Sequence, residues 1–324
     1  MKKLWKLYVA SAIIVFVLPA IILIPYSKKQ QRKISDDPTV STVNEENVVP
    51  TELTVTVVDE NQVVQSFSVD EYLVGVVLSE MPADFEPEAL KAQAVVARTY
   101  TLRRKDKIRK HDTADICTEP GCCQGYISPD DYLKGGGSEA SVEKIRNAVT
   151  STRGIVVTYQ GELAEATYFS CSGGKTEDAA AVWGSDVPYL QATQSPGEEK
   201  ATHFTDTVHF TAAQFREKLG RDMEGAPANW VENISYTEGG GVDVMRICGV
   251  DYKGTELRNM LGLRSTAFRL TAVGDTITIT TKGFGHRVGM SQYGADAMAV
   301  QGASYEEILT YYYNGVEVST YQEG

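Results

Sequence analysis

The sequence predicts an α+β fold, with a mixed, sheet-containing domain after a single N-terminal transmembrane helix. Three observations lead to this prediction. An uncharged apolar stretch lies near the N-terminus, a polar segment follows it, and the remaining chain alternates between strand-like and helix-like patterns without an internal repeat. Of the 324 residues, 42% are apolar and 23% are charged, which is a globular composition with enough chain for a sizeable core.

The transmembrane helix is predicted at residues 7–26, which read LYVASAIIVFVLPAIILIPY and carry no charge. At ~1.5 Å per residue, a helix of this length crosses a hydrocarbon layer of ~30 Å. The alternative is a cleaved signal peptide, but its apolar core is usually ~7 to 15 residues long and precedes an A-x-A-like site. We therefore expect residues 1–26 to anchor a single-pass protein in the cell membrane.

The segment after the anchor, residues 27–50, is polar, contains two prolines and shows no sustained period. This composition is typical of a flexible linker, so the folded domain is expected at residues 51–324. The chain has 31 basic and 43 acidic side chains and a formal charge of −12. Because phosphate binding needs clustered basic residues, this acidity argues against nucleic acid as a partner.

The first structured elements are predicted to be a β-hairpin and two helices. Apolar and polar residues alternate at 53–57, and the pattern resumes at 63–67 after a turn. Asp70 is expected to cap a short apolar helix that stops before Pro82. A second helix is expected to start at Pro87, since proline is favoured in the first turn.

Strands and short helices are predicted to alternate in the rest of the chain. The strands are expected at residues 154–160, 164–170 and 275–283, and one helix at residues 211–220. Ser304 and Glu307 form the pattern of a capping box for the last helix, which Asn314 and Gly315 end in a turn.

Glu80 is the first candidate for chemistry, because apolar residues 76–78 and Met81 surround it in the sequence. Loss of water around a carboxyl group raises its pKa toward the value that a general acid needs near neutral pH. The alternative is a solvated carboxylate near a helix end. Lys91 and Arg98 lie about two helical turns apart on one face of the second helix and could orient a substrate or neutralise Glu80. They could equally form an exposed basic stripe.

A cluster of possible metal ligands follows the second helix. His111, Cys117, Cys122 and Cys123 lie close together in the sequence, and thiolates with an imidazole suit a tetrahedral zinc ion. Two adjacent cysteines are awkward as joint ligands, and the alternatives are a disulfide from Cys117 to one of them or free thiols. The other two cysteines of the chain could pair or be buried thiols.

Two glycine-rich segments complete the candidates, at Tyr168–Glu177 and Gly283–Gly294. Both combine glycines with hydroxyl, amide, cationic and aromatic side chains, a mixture that suits sugar hydroxyls and amides. The same residues could simply form tight turns. A nucleophilic pair of Ser172 and His286 is conceivable, but no G-x-S-x-G elbow supports it.

The segments VVLSEMPADFEPEALKAQAVVARTY, YFSCSGGKTEDA and GFGHRVGMSQYGADAMAVQGASYEEILTYYY, in this order, resemble the stage II sporulation protein D family over roughly residues 50–320. The resemblance implies a membrane-anchored lytic transglycosylase, which cleaves the glycan strands of peptidoglycan to 1,6-anhydromuramic ends during forespore engulfment. It also implies that the domain is extracytoplasmic, on the mother-cell membrane facing the forespore, with stage II sporulation proteins M and P as partners. A non-catalytic peptidoglycan-binding or scaffold protein of the engulfment machinery is the alternative.

The resemblance also assigns roles to individual residues. It implies that Glu80 is the catalytic glutamate and that Lys91 and Arg98 belong to the active site. The implied glycan-binding residues are Tyr168, Ser172, Lys175, His286, Ser291 and Gln292. Some family members bind zinc through one histidine and two cysteines, which implies His111, Cys117 and Cys123 here, with Cys122 as an extra thiol. Because clustered thiols favour a closed site, we expect the zinc to be structural.

Overall fold

The computed structural model describes residues 53–322, which lie in the compact unit Glu52–Gly324. The predicted anchor at residues 1–26 and the linker at residues 27–50 lie outside the described residues. Within residues 53–322, no helix is both long and apolar enough to cross a membrane. This finding corrects the prediction of an α+β fold with a transmembrane helix and the prediction of a single-pass cell-membrane location. What the structure supports is a mixed α/β fold.

The described helices and strands follow one another in a mixed order. The strands are β1 (Thr54–Val58), β2 (Val64–Ser68), β3 (Ile116–Cys117), β4 (Ile155–Tyr159), β5 (Glu162–Leu163), β6 (Tyr168–Phe169), β7 (Thr205–Thr211), β8 (Val231–Tyr236), β9 (Val242–Ile247), β10 (Val250–Lys253), β11 (Phe268–Val273), β12 (Thr276–Lys282), β13 (Met290–Ser291) and β14 (Glu317–Thr320). The α-helices are α1 (Val69–Glu80), α2 (Pro87–Asp106), α3 (Pro129–Lys134), α4 (Glu139–Ser151), α5 (Ala179–Trp183), α6 (Ala212–Leu219), α7 (Gly254–Leu261), α8 (Gln292–Val300) and α9 (Tyr305–Tyr312).

The main lobe comprises residues 53–200 and 284–322 and is built around α2. This helix contacts α1, α4, α8, α9 and β4. Its many alanines allow close packing, and it is buried on most sides. β1 pairs antiparallel with β2, which confirms the predicted hairpin, and β3 extends this sheet in parallel. A second sheet has the order β14–β4–β5, and β6 and β13 form a short parallel pair.

The insert lobe, residues 205–282, has its own core. It contains two antiparallel three-stranded sheets, β10–β9–β8 and β11–β12–β7, together with α6 and α7. Their apolar sides bury a separate cluster that includes Phe215, Trp230, Met245, Leu257 and Ile279. The predicted helix at residues 211–220 and the predicted strand at residues 275–283 are both confirmed here.

The start of α1 differs from the prediction. Ser68, and not Asp70, caps the helix: its hydroxyl accepts a hydrogen bond from the Glu71 N–H, and the Glu71 carboxylate accepts one from the Ser68 N–H. Asp70 lies inside the first turn and pairs with Arg98 and Arg153 instead. The predicted end before Pro82, the start of α2 at Pro87 and the last capping box are confirmed.

A buried ion pair of the main lobe contacts the insert lobe. The Arg287 guanidinium lies 3.0 Å from Glu177 Oε1, and neither side chain is more than 2% exposed. Glu177 Oε1 also accepts a hydrogen bond from the Gly241 N–H at 2.9 Å, and Arg287 donates to the Gly239 carbonyl at 2.7 Å. Arg287 has a φ of 67°, which a residue with a side chain rarely adopts. These contacts hold the loop that carries His286 against the turn between β8 and β9.

Candidate active site

A cleft of about 940 Å³ opens at the C-terminal end of α1. Glu80, the last residue of α1, lies in it. The walls come from the loop at residues 120–124, from residues 165–170, from the loop at residues 284–286 and from the first residue of α8. One side chain of the insert lobe, Arg258 on α7, completes the lining. The cleft therefore brings together parts of the chain that are far apart in sequence.

Glu80 is held by two hydrogen bonds. Its Oε1 atom accepts one from the Gly125 N–H at 2.9 Å, and its Oε2 atom lies 3.5 Å from the Gln292 amide nitrogen. Burial raises the pKa of Glu80 above its usual range, against the smaller lowering effect of both hydrogen bonds. This agrees with the apolar sequence around Glu80. A carboxyl group with a raised pKa can carry a proton nearer to neutral pH, as a general acid must.

Tyr168 is the second predicted site residue in the cleft. Its hydroxyl donates a hydrogen bond to Gln124 Oε1 at 3.0 Å, and the Gln124 amide donates to Thr101 at 2.9 Å. Burial, together with the nearby Glu80 carboxyl, raises the pKa of Tyr168 well above its usual range. Tyr168 is therefore a neutral hydrogen-bond donor at physiological pH.

His286 is neutral as well. Burial, together with the charge of Arg258, lowers the pKa of His286 to about 4. Its Nδ1 atom accepts a hydrogen bond from the Val288 N–H at 3.1 Å. The ring packs against Phe169 and Trp183, with centroid distances of 5.7 and 5.4 Å. His286 can thus form part of a binding surface, but it carries no charge near neutral pH.

Lys91 and Arg98 do not reach the cleft. Lys91 pairs with Glu88 at 2.6 Å on another part of the surface. Arg98 is 1% exposed and donates to the backbone carbonyls of Thr152 and Val149. Lys91 is therefore partly exposed near the start of α2, whereas Arg98 is buried in the main lobe. The structure does not bring either side chain to Glu80.

Ser172 and Ser291 are fully buried behind the cleft. Both hydroxyls donate hydrogen bonds to Glu198, which also accepts one from the Ser172 N–H at 2.9 Å. Glu198 thereby ties the two glycine-rich segments together. Lys175 pairs with the exposed Glu238 at 3.2 Å, away from the cleft. The structure thus places these three predicted glycan-binding residues outside the lining, where the two serines brace the segments.

Several side chains of the cleft were not predicted. Glu165 is a second carboxylate, and its two oxygens are paired with Arg103 and Arg104. Trp183 is 44% exposed, and Phe284 is 37% exposed. The other unpredicted lining residues include Gln124 and Arg258. Only Glu198, which lies behind the cleft, had a local signal, because Ser195 precedes it at the spacing of a capping box and donates to it at 2.6 Å.

The four predicted metal ligands form one cluster. The Nε2 atom of His111 and the sulfurs of Cys117, Cys122 and Cys123 all lie within 4.8 Å of one another, and none of these cysteines is in a disulfide. His111 Nε2 is 3.4 Å from the Cys123 sulfur and 3.6 Å from the Cys122 sulfur. Bonds of ~2.0–2.1 Å to nitrogen and ~2.3 Å to sulfur in a tetrahedral zinc site give similar separations. The cluster fits zinc.

The adjacent cysteines Cys122 and Cys123 point into the same cluster, although neighbouring residues are awkward as joint ligands. The N–H groups of Cys122 and Cys123 both donate to the Glu119 carbonyl, at 3.0 and 2.8 Å. This tight turn directs both sulfurs toward His111. The next residues are Gln124 and Gly125, which contact Tyr168 and Glu80. The cluster therefore holds the loop that touches both cleft residues.

The part of the chain with Glu80 and the cysteine cluster matches a known family model, described as Stage II sporulation protein, over residues 58–159. The stage II sporulation protein D of Bacillus subtilis is 43% identical over 80% of this chain and 76% of that protein. The protein of the same name from Bacillus amyloliquefaciens is 38% identical over 98% of this chain and 96% of its own length. The amidase enhancer of Bacillus subtilis is 31% identical over 77% of this chain but only 40% of its own length.

Proposed function

Since this chain belongs to the stage II sporulation protein D family, we propose that it is a lytic transglycosylase that cleaves the glycan strands of peptidoglycan. The family and the amidase enhancer support a role in sporulation that concerns the cell wall. The observation that carries the proposed chemistry is Glu80, a carboxyl group with a raised pKa in a large cleft.

The reaction needs only one acid–base group. Glu80 donates its proton to the oxygen that joins muramic acid to glucosamine, and the bond from that oxygen to C1 of muramic acid breaks. The resulting Glu80 carboxylate accepts the proton of the muramic 6-hydroxyl, and the oxygen of that hydroxyl bonds to C1 of the same sugar. The product is a 1,6-anhydro sugar, and no water is consumed. Hydrolytic glycosidases usually need a second carboxylate, because they must activate water or form a covalent intermediate.

The surroundings of Glu80 suit this use of a single carboxyl group. Glu165, the other carboxylate of the lining, is paired with two arginines and is not available as a free base. The Gly125 N–H and the Gln292 amide stabilise the carboxylate that forms after proton transfer. A group that must alternate between acid and base benefits from burial, which favours the acid, and from hydrogen bonds, which favour the carboxylate.

We also propose that His111, Cys117, Cys122 and Cys123 bind one zinc ion. Four protein ligands would leave no open coordination position, so the ion would crosslink the loop at residues 111–125 and not act on the substrate. Stage II sporulation proteins M and P stay predicted partners, as the resemblance implies. A protein that binds peptidoglycan without cleaving it is the competing function.

Digestion of purified peptidoglycan separates the two functions. Under the proposal, mass spectrometry detects glycan fragments that end in 1,6-anhydromuramic acid, each lighter by one water than the product of a hydrolase. Binding without new glycan ends would support the non-catalytic function. Fragments with reducing ends would point to a hydrolase.

A further inference from the structure

Arg258 is a cation in the cleft without a partner. Among residues 53–322, no carboxylate lies within ion-pairing distance of its guanidinium, and no side chain or carbonyl accepts a hydrogen bond from it. The two other cations of the lining are engaged: Arg104 pairs with Glu165, and Lys110 donates to the Cys122 carbonyl. Burial lowers the pKa of Arg258, with no nearby acid to oppose it. A half-buried guanidinium that lacks a protein partner is prepared for an anion from outside the chain.

An exposed aromatic side chain lies in the same part of the cleft. The Trp183 ring is 44% exposed and lies 5.4 Å from the ring of His286. Arg258 is close enough to His286 for its charge to lower the pKa of that imidazole. Trp183 and Arg258 are therefore both neighbours of His286, one from the main lobe and one from the insert lobe. An exposed indole offers a flat apolar face, which in a cleft is typical of a ligand contact.

Resting on the proposed function, we propose that Trp183 and Arg258 form a subsite for muramic acid. The indole packs against the C–H face of the sugar ring, and the guanidinium pairs with the lactyl carboxylate of a muramic acid that carries no stem peptide. Arginine suits this task because its planar fork can donate two parallel hydrogen bonds to one carboxylate. Glucosamine has no carboxylate and gains nothing from Arg258.

The subsite would determine the register in which a glycan strand binds in the cleft. Muramic acid and glucosamine alternate along a glycan strand, so on a peptide-free strand a subsite that prefers muramic acid allows only every second position. It thereby determines which of the two kinds of glycosidic bond reaches Glu80. The subsite is thus a specificity determinant and takes no part in proton transfer.

Binding of two tetrasaccharide probes, one with carboxylates and one without, tests the subsite in the full chain. One probe is a peptide-free tetrasaccharide of alternating glucosamine and muramic acid, both N-acetylated, with free lactyl carboxylates. The other is the tetramer of N-acetylglucosamine, which has the same length and no carboxylate. Calorimetric titration in the Glu80→Gln background measures both affinities without cleavage.

We expect Arg258→Gln to weaken binding of the muramic tetrasaccharide about tenfold to a hundredfold, since a hydrogen-bonded charge pair is lost, and to leave the N-acetylglucosamine tetramer unchanged. Arg258→Lys keeps the charge and should lose less. Trp183→Ala should weaken both probes by similar factors. Arg269→Gln is the matched control, because Arg269 is exposed on β11 of the same lobe and lies outside the cleft.

Equal effects of Arg258→Gln on both probes, or no effect on either, would overturn the subsite. This binding test can fail or succeed independently of the cleavage test of the proposed function. Discrimination between the probes by a wild-type protein that makes no anhydro ends would leave the subsite standing and reject the transglycosylase. If the wild-type protein forms anhydro ends and its Arg258→Gln variant binds both probes normally, the transglycosylase stands and the subsite is rejected.

Discussion

The backbone N–H of Gly125 donates a hydrogen bond to Oε1 of Glu80 over 2.9 Å. The carboxyl at the end of α1 is thus oriented by a residue of the cysteine loop, and not by its own helix. Gly125 can come this close because it has no side chain: a Cβ at this position would lie 2.7 Å from the Ser79 hydroxyl and 3.1 Å from Glu80 Oε1. The position of the Glu80 carboxyl therefore depends, through this one contact, on the conformation of the loop at residues 111–125.

The first prediction is that Gly125→Ala displaces Glu80. The Ser79 hydroxyl can rotate away from the added methyl group, but Glu80 Oε1 must shift by a few tenths of an ångström. Small errors in the position of a catalytic group are costly, since ~1 Å can cost about 10²-fold in rate. We expect a loss of about tenfold to a hundredfold in the rate of glycan cleavage. Gly121→Ala is the control in the same loop, since a Cβ there has no neighbour nearer than 3.9 Å. If both variants cleave at the wild-type rate, the contact does not position Glu80.

The second prediction is that Glu80→Gln abolishes cleavage and leaves the fold intact. The amide has nearly the same shape but cannot transfer a proton, and general acid–base catalysis contributes about 10²- to 10⁴-fold. Release of anhydro ends measures the activity, and the melting temperature reports on the fold. Glu60→Gln, in the exposed turn of the hairpin, is the control. Unchanged turnover by Glu80→Gln would exclude this residue as the acid.

The third prediction concerns pH. Glu80 must be protonated to act as the acid, and burial raises its pKa above the usual 4.5. The ratio kcat/KM should therefore be high below that raised pKa and fall as the pH increases through it. Gln292→Leu removes a hydrogen bond that favours the carboxylate, so the decline should move to higher pH. A decline that stays in place or moves to lower pH in this variant would contradict the assignment.

Local patterns in the sequence predicted much of the fold. The hairpin, the end of α1 before Pro82 and the start of α2 at Pro87 depend on neighbours in the chain, and the structure confirms them. Glu80 could be singled out for the same reason, because its apolar neighbours belong to its own helix. The cap of α1 was missed by two residues, since both Ser68 and Asp70 have side chains that can cap a helix.

Contacts between distant residues could not be predicted in this way. Ser172 and Ser291 are typical of a polar surface loop, but both are buried on Glu198, and Ser291 is separated from it by 93 positions. Arg98 is separated from its acceptor Thr152 by 54 positions. The residue type alone does not show whether a serine or an arginine contacts a substrate or forms hydrogen bonds inside the protein. Only the packing of the lobes decides between these roles.

The fourth prediction is that the purified chain contains about one zinc ion, and that a chelator lowers its melting temperature. All four side chains of the cluster are within reach of one ion, so Cys122→Ser should reduce the zinc content even though Cys123 is adjacent. Cys248→Ser is the control, because Cys248 is a free thiol of the insert lobe outside the cluster. Metal-free protein with a mass lower by two hydrogens would instead establish a disulfide.

The last prediction concerns the buried ion pair of the main lobe that contacts the insert lobe. Glu177→Gln leaves the Arg287 guanidinium, which is 2% exposed, without its counter-charge. Removal of one partner from a buried ion pair costs about 3 to 5 kcal/mol, because the remaining charge stays desolvated. We expect a loss of this size in the free energy of unfolding, measured with denaturant. Glu238→Gln removes the exposed partner of Lys175 and should cost at most about 1 kcal/mol. Because Arg287 is next to His286, which lines the cleft, Glu177→Gln should also disturb the cleft. Equal stability of the two variants would show that the buried pair contributes no more than the exposed one.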